Sequence, residues 1–233
     1  GLGPQVRGNI VRRYSERWTP PAPRMREYVR SLRAIFDCWQ NGTELAFEGE
    51  HYQFTRMQSF IKPRPIEHPD MPIVVAGIGP LMTAVAGEVA DALATHPTNV
   101  APRYLREKVL PNLERGAARA GRSASEVELR INCLSATGID ERATRESREK
   151  LRSTLATLYS TPSYWPSLEL FGWKDRGEHL NRLVREGRWQ DLPAVISDEM
   201  LDVLITTAPY GEIADLLRQR YSGLSDIISF ALP

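Results

Sequence analysis

Only two cysteines occur in 233 residues, Cys38 and Cys133. They stand far apart, and neither belongs to a CxxC or a Cys/His spacing. A disulfide framework and a structural zinc site are therefore not expected, and a reducing cytoplasm is the expected compartment. Histidine is as sparse: His51, His68, His96 and His179 never pair at metal-ligand spacing, so no metal centre is expected. No run of about 18 apolar residues is present, which argues against a membrane-spanning helix, and no stretch reads as a signal peptide. An excess of one charge is missing too. Thirty basic against twenty-nine acidic residues leave +1, not the surplus that a dedicated nucleic-acid surface carries. Walker loops, nucleophile elbows and catalytic-cysteine signatures are absent, and both cysteines read as core residues.

What is there is ordinary globular composition, with 42% hydrophobic, 25% charged and 8% aromatic residues. Disordered, collagen-like and coiled-coil chains fall outside those values. Met25, Tyr28, Val29, Leu32, Ile35, Phe36 and Trp39 recur at intervals of three and four, the mark of an amphipathic helix, and Asn41-Gly42 should end it in left-handed geometry. Residues 44–47 and 51–54 read as a small hairpin, and the proline-rich stretch 62–69 as a loop. The uniformly apolar residues 72–76 suit a strand buried on both faces. A helix should follow Pro80, a second buried strand spans 91–95, and a helical segment to about Gly121 should break or restart at Pro111. A longer strand covers 127–137. This alternation indicates parallel α/β architecture. Residues 140–222 interrupt it with helices, including ones near 176–187 and 197–205 and one opened by Pro209 that turns Ile213, Leu216, Leu217 and Tyr221 inward. A buried strand over 225–231 closes a chain that reads as one domain, 1–233.

Few constellations carry chemistry. Gly77-Ile78-Gly79 follows a buried strand and precedes a helix, where backbone N–H groups can approach a phosphate. The competing reading is a tight turn needing positive φ, and the full GxGxxG pattern fails because residue 82 is Met. His96 directly follows a strand end, where functional groups of parallel α/β folds collect. Trp165 and Trp173 form either an aromatic wall over a ligand or the packed core of the helical stretch. Asp198 and Glu199 suit a helix start. Residues 1–33 hold eight arginines against two glutamates, either a hold for an anionic small-molecule tail or a solvated basic loop.

Several ordered passages together resemble the luciferase-like monooxygenase superfamily: Gly1-Leu2-Gly3 with Asn9 and Tyr14, the segment from Trp18 to Tyr28, Phe47–Tyr52, Pro63-Arg64-Pro65, Met71–Gly77 and Ala90-Asp91. The passages Tyr164–Trp173 and Ile196–Asp198 resemble a subgroup of coenzyme F420-dependent oxidoreductases within it. The resemblance covers essentially the whole chain and implies a (β/α)₈ barrel with a long helical insertion, 140–222, before the last strand. Strands five to eight would be 72–76, 91–95, 127–137 and 225–231, with the tip of strand four at the start.

The resemblance further implies a deazaflavin, F420, or alternatively FMN, against the backbone of Gly1, Gly3, Asn9, Ala76, Gly77, Ile78 and Gly79. His96, Trp165 and Trp173 become substrate-pocket candidates. The FMN branch often offers a hydroxyl for the terminal phosphate, and Thr83 is the one candidate for that here. Strands one to three, with the catalytic acid or histidine, would lie outside these residues. They would be supplied by another chain or by a longer parent, as the start at Gly1 without Met also suggests. The expected activity is hydride transfer between F420 and a small organic substrate. The alternatives are an FMN-dependent monooxygenase using reduced flavin and O2, and a non-catalytic half-barrel. A homodimer is compatible with this reading; a membrane or nucleic-acid partner is not.

Overall fold

The computed structural model describes residues 1–230; Ala231, within the expected last strand, lies outside them. The chain opens with Leu2 in a parallel bridge to Val75 and a π-helical turn, Asn9–Arg13. Helix α1 follows, Pro21–Asn41, with Met25, Val29 and Cys38 buried on its apolar face. Gly42 at φ 76° closes it in the expected left-handed cap. Strands β1 (Phe47–Glu48) and β2 (Gln53–Phe54) make the hairpin, with Phe47 opposite Phe54.

Strand β3 (Val74–Gly77) leads into α2 (Pro80–Val89), and β4 (Ala92–Thr95) into a 3₁₀ turn at Pro97–Asn99. The next helical stretch runs from α3 (Pro102–Tyr104) through a π-helical turn, Leu105–Val109, into α4 (Leu110–Arg119). Pro111 therefore does not break the helix but stands where its α-helical course restarts, at Leu110: the missing proline N–H is accommodated by the widened turn just before it. The expected strand 127–137 is two, β5 (Glu128–Cys133) and β6 (Ser135–Ala136), with Leu134 between them.

The helical stretch holds α5 (Glu141–Tyr159), α6 (Trp165–Leu170), α7 (Lys174–Arg185) and α8 (Asp198–Leu204). Strand β7 (Thr206–Thr207), α9 (Ile213–Tyr221) and β8 (Ile227–Phe230) complete the described chain. The main sheet runs β3-β4-β5-β8, with β8 parallel to β5, while β6 pairs in parallel with β7. One stretch of chain thus serves two partners. Three expectations about burial fail. The stretch 72–76 is not buried on both faces: Ile73 and Val75 are buried, but Pro72 and Ala76 on the other face are exposed. Leu216 is exposed, because α9 turns only Ile213, Leu217 and Tyr221 inward; Ile227 of β8 is exposed because β8 alternates, with Ile227 and Ser229 on its open face.

Two compact units emerge, residues 1–93 with 112–127, and residues 94–111 with the chain from Glu128 on. In the first, α2 and α4 touch through glycines: a Cβ on Gly87 would meet the backbone of Leu113, and one on Gly116 that of Ala84. The Arg122 guanidinium closes the end of α2, donating to the carbonyls of Ala86, Gly87 and Ala90. In the second, Leu155, Tyr159, Leu168, Leu180, Ile196 and Leu201 form the centre of a helical core.

Candidate functional site

The first unit builds a backbone surface around the end of β3. The Leu2 N–H donates to the Val74 carbonyl at 2.8 Å, and the Ala76 N–H to the Leu2 carbonyl at 2.7 Å. This ladder brings Gly3 beside Ala76: a Cβ on Gly3 would stand 3.7 Å from that of Ala76. Gly77 is buried, and a Cβ there would come within 3.2 Å of both Leu93 Cδ1 and Met82 Cγ, so packing explains this glycine. Gly79 is different. It caps α2 at φ −87°, ψ 163°, and a Cβ on it would meet nothing within 4 Å. Neither Gly77 nor Gly79 has positive φ, so the tight-turn explanation fails. At Gly79 and at Gly1, which is equally open, neither the backbone nor packing calls for glycine; what glycine leaves there is uncovered backbone.

Half-buried Ile78 lies between the two glycines. No side chain caps α2, Pro80 at its first turn carries no N–H, and its first helical bond runs from the Thr83 N–H to the Gly79 carbonyl. The N–H groups of Leu81 and Met82 precede that bond, the arrangement that receives an anion. Thr83 itself is buried in α2 and presents no exposed hydroxyl. Asn9 serves the loop: its Nδ2 donates to Gln5 Oε1 at 3.0 Å, and Gln5 sits at φ 60°, an uncommon conformation for a side-chain-bearing residue.

The second unit holds the other candidates. His96 follows β4 directly and starts the 3₁₀ turn, its N–H donating to Asn99 Oδ1 at 3.0 Å. Its Nδ1 lies 2.9 Å from Thr98 Oγ1 and accepts from the Thr98 N–H at 3.4 Å, which assigns the ring proton to Nε2. The imidazole stacks on Tyr164, with centroids 4.5 Å apart and planes within 5°. Burial pushes its pKa below the ordinary value, so at neutral pH the ring is an uncharged donor through Nε2.

Tyr164 was not singled out in the sequence, since nothing local shows that it meets a ring 68 positions away. The Trp165 indole N–H donates to the Tyr159 carbonyl at 2.8 Å, and its ring occupies the space that a Cβ on Gly177 would need. Trp173 stacks on Phe171 at 5.2 Å and packs against the helical core. Both tryptophans make the contacts of packing residues. Tyr159, fully buried, holds the Thr98 carbonyl at 3.0 Å and Ser167 Oγ at 3.1 Å, so the helical core anchors the turn that carries His96.

A luciferase-like monooxygenase family profile matches residues 1–226. The chain belongs to that family. An uncharacterized protein of Mycobacterium tuberculosis is 41% identical over 226 residues, covering 97% of this chain and 66% of that protein. A 5,10-methylenetetrahydromethanopterin reductase of Archaeoglobus fulgidus is 24% identical over 221 residues, 91% of this chain and 61% of that protein. Among solved structures, the coenzyme F420-dependent tetrahydromethanopterin reductase of Methanopyrus kandleri superposes with a TM-score of 0.73 at 18% identity, over 98% of this chain and 67% of that one. The chain thus spans slightly under two thirds of the curated relatives it matches. Its α/β fold with parallel pairing is that of the luciferase-like barrels. No described helix is long and apolar enough to cross a membrane, and no cluster of potential metal ligands occurs among the described residues.

Proposed function

We propose that this chain carries cofactor- and substrate-binding elements of an F420-dependent oxidoreductase, which moves a hydride between the deazaflavin and a small organic substrate. The observation that carries the reading is Gly79, a glycine required by neither its own dihedrals nor its neighbours, at the uncapped start of α2. The residues fit the cofactor: a phosphate would take the N–H groups of Leu81 and Met82, and a flat ring would find backbone without side chains at Gly1, Gly3 and Gly79, next to the small Ala76. When bound, the deazaflavin supplies the two-electron chemistry.

The chain's own residues supply position and polarity. In the first unit, the Leu2–β3 ladder fixes the Gly3 and Ala76 backbone, and the packing of Gly77 on Leu93 and Met82 sets the direction of the turn. In the second, His96 Nε2–H is a neutral donor suited to a substrate carbonyl or hydroxyl oxygen, while Tyr164 and Thr98 hold the imidazole plane. Trp165 and Trp173 pack against the helical core that holds Tyr159, whose hydroxyl anchors the His96 turn.

The buried Thr83 favours F420 over FMN, because the helix start offers no exposed hydroxyl to a terminal phosphate. Equilibrium titration with each cofactor tests the proposal. Saturable binding of F420, weaker binding of FMN and loss of F420 affinity in Gly79→Val are expected. Preference for FMN, or unchanged F420 affinity in the variant, contradicts it.

A further inference from the structure

Bordering the backbone surface just described, which it shares at Leu2 and Gly3, the first unit forms a half-open cavity of about 140 Å³ whose walls include Pro4, Arg24, Tyr28 and Tyr52. Its distinguishing member is Arg24. Helix α1 carries four arginines, and three are paired. Arg26 and Arg30 both reach Glu88, at 2.8 and 2.7 Å, and Arg33 pairs with Asp91. Arg24, half-buried, has no ion pair or hydrogen bond among the described residues. The acidic residue closest to it along the helix, Glu27, is already engaged by the amides of Glu50, His51 and Tyr52. The surrounding charge does not neutralise it either: Arg7, Arg12, Arg13 and Arg17 form no ion pair among the described residues, and residues 1–33 hold eight arginines against two glutamates.

The rest of the lining sets aromatic and apolar faces beside polar atoms. Tyr28 and Tyr52 meet at 5.2 Å between ring centroids, Tyr52 stacks on Phe54, and Pro4, Pro21 and Met25 complete the walls. Neither phenol hydroxyl has a hydrogen-bond partner among the described residues. The volume is close to that of an apolar cavity that takes one benzene, about 150 Å³. A guanidinium presents a planar fork that matches a carboxylate bidentately, and tyrosine faces prefer a ring.

We propose that this cavity is a binding site for a small aromatic carboxylate, its ring against Tyr28, Tyr52 and Met25 and its carboxylate on Arg24. The site shares Leu2 and Gly3 with the proposed cofactor surface but uses neither Gly79 nor His96, so Gly79→Val should leave benzoate binding in place while it weakens F420 binding. Ligand-observed NMR titration of the 233-residue chain with benzoate, benzamide and inorganic phosphate tests it. Saturable benzoate binding is expected, at least tenfold tighter than that of neutral benzamide. Arg24→Gln should bring the two ligands within about twofold of each other while leaving the far-ultraviolet melting curve in place. If that variant does not fold, Arg24→Lys keeps the charge but loses the fork and should give a preference between the two. Equal binding of benzamide, a benzoate preference that survives Arg24→Gln or stays undiminished in Arg24→Lys, phosphate binding as tight as benzoate, or no saturable benzoate signal would each overturn the proposal.

Discussion

At the scale of single residues, two glycines two positions apart have opposite reasons for being glycine, and the same substitution separates them. Gly77→Ala forces a methyl to within 3.2 Å of Leu93 and Met82, so it should destabilise the fold by about 1–3 kcal/mol. Gly79→Ala meets nothing within the chain and should cost about 1 kcal/mol or less, the ordinary loss at an N-cap, while lowering F420 affinity at least tenfold. Chemical denaturation and cofactor titration on both variants check this. His96 offers a second test. Its pKa is depressed by burial, so the folded ring binds fewer protons than the unfolded one. Any stability linked to it is present above the unfolded value, near 6.5, and lost as pH falls through the lower folded value. NMR titration of the imidazole should show a midpoint below that of a solvent-exposed histidine such as one in a peptide, and Tyr164→Leu should shift it.

At the scale of elements, the hairpin is held to α1 by one carboxylate. Glu27 accepts the N–H groups of Glu50 at 3.0 Å, His51 at 2.7 Å and Tyr52 at 2.5 Å. Gly49 makes room for it, because a Cβ there would collide with the same carboxylate. Desolvation works to raise the Glu27 pKa, but the three amides and the His51 charge outweigh it and hold it below the ordinary value. The contribution is therefore present above the unfolded carboxylate pKa and disappears as pH falls through the lower folded one. Glu27→Gln should abolish that acid limb and speed amide exchange at residues 50–52 at neutral pH, read by hydrogen-exchange mass spectrometry. Unchanged exchange there would contradict the clamp.

None of this clamp was legible in the sequence, because its bonds join residues 23 to 25 positions apart, whereas α1 itself was, from its periodicity and Gly42. The division of 127–137 into β5 and β6 was hidden for a related reason. The alternation shifts by one at Cys133-Leu134, but the change of partner from β8 to β7 that goes with it is a tertiary event. The candidate backbone surface could be read from the glycine spacing and the family resemblance. The contrast between Gly77 and Gly79 could not, because it depends on Met82 and Leu93 and on what is absent around Gly79.

At the scale of the whole molecule, the chain is a luciferase-like protein that spans about two thirds of its relatives' length. Its described part combines a β3-β4-β5-β8 sheet with a helical stretch whose core supports the His96 turn. The near-neutral total charge conceals an arginine-rich first unit beside the Gly3 backbone, and this unevenness is what an anionic cofactor or ligand would encounter. The central claim is that the uncovered backbone at the start of α2 receives F420. Fluorescence titration of this chain with F420, in parallel with Gly79→Val, tests it most directly. The account predicts saturable binding that weakens at least tenfold in the variant, with FMN binding less tightly than F420 to the unaltered chain. Equal F420 affinity in both proteins would contradict it.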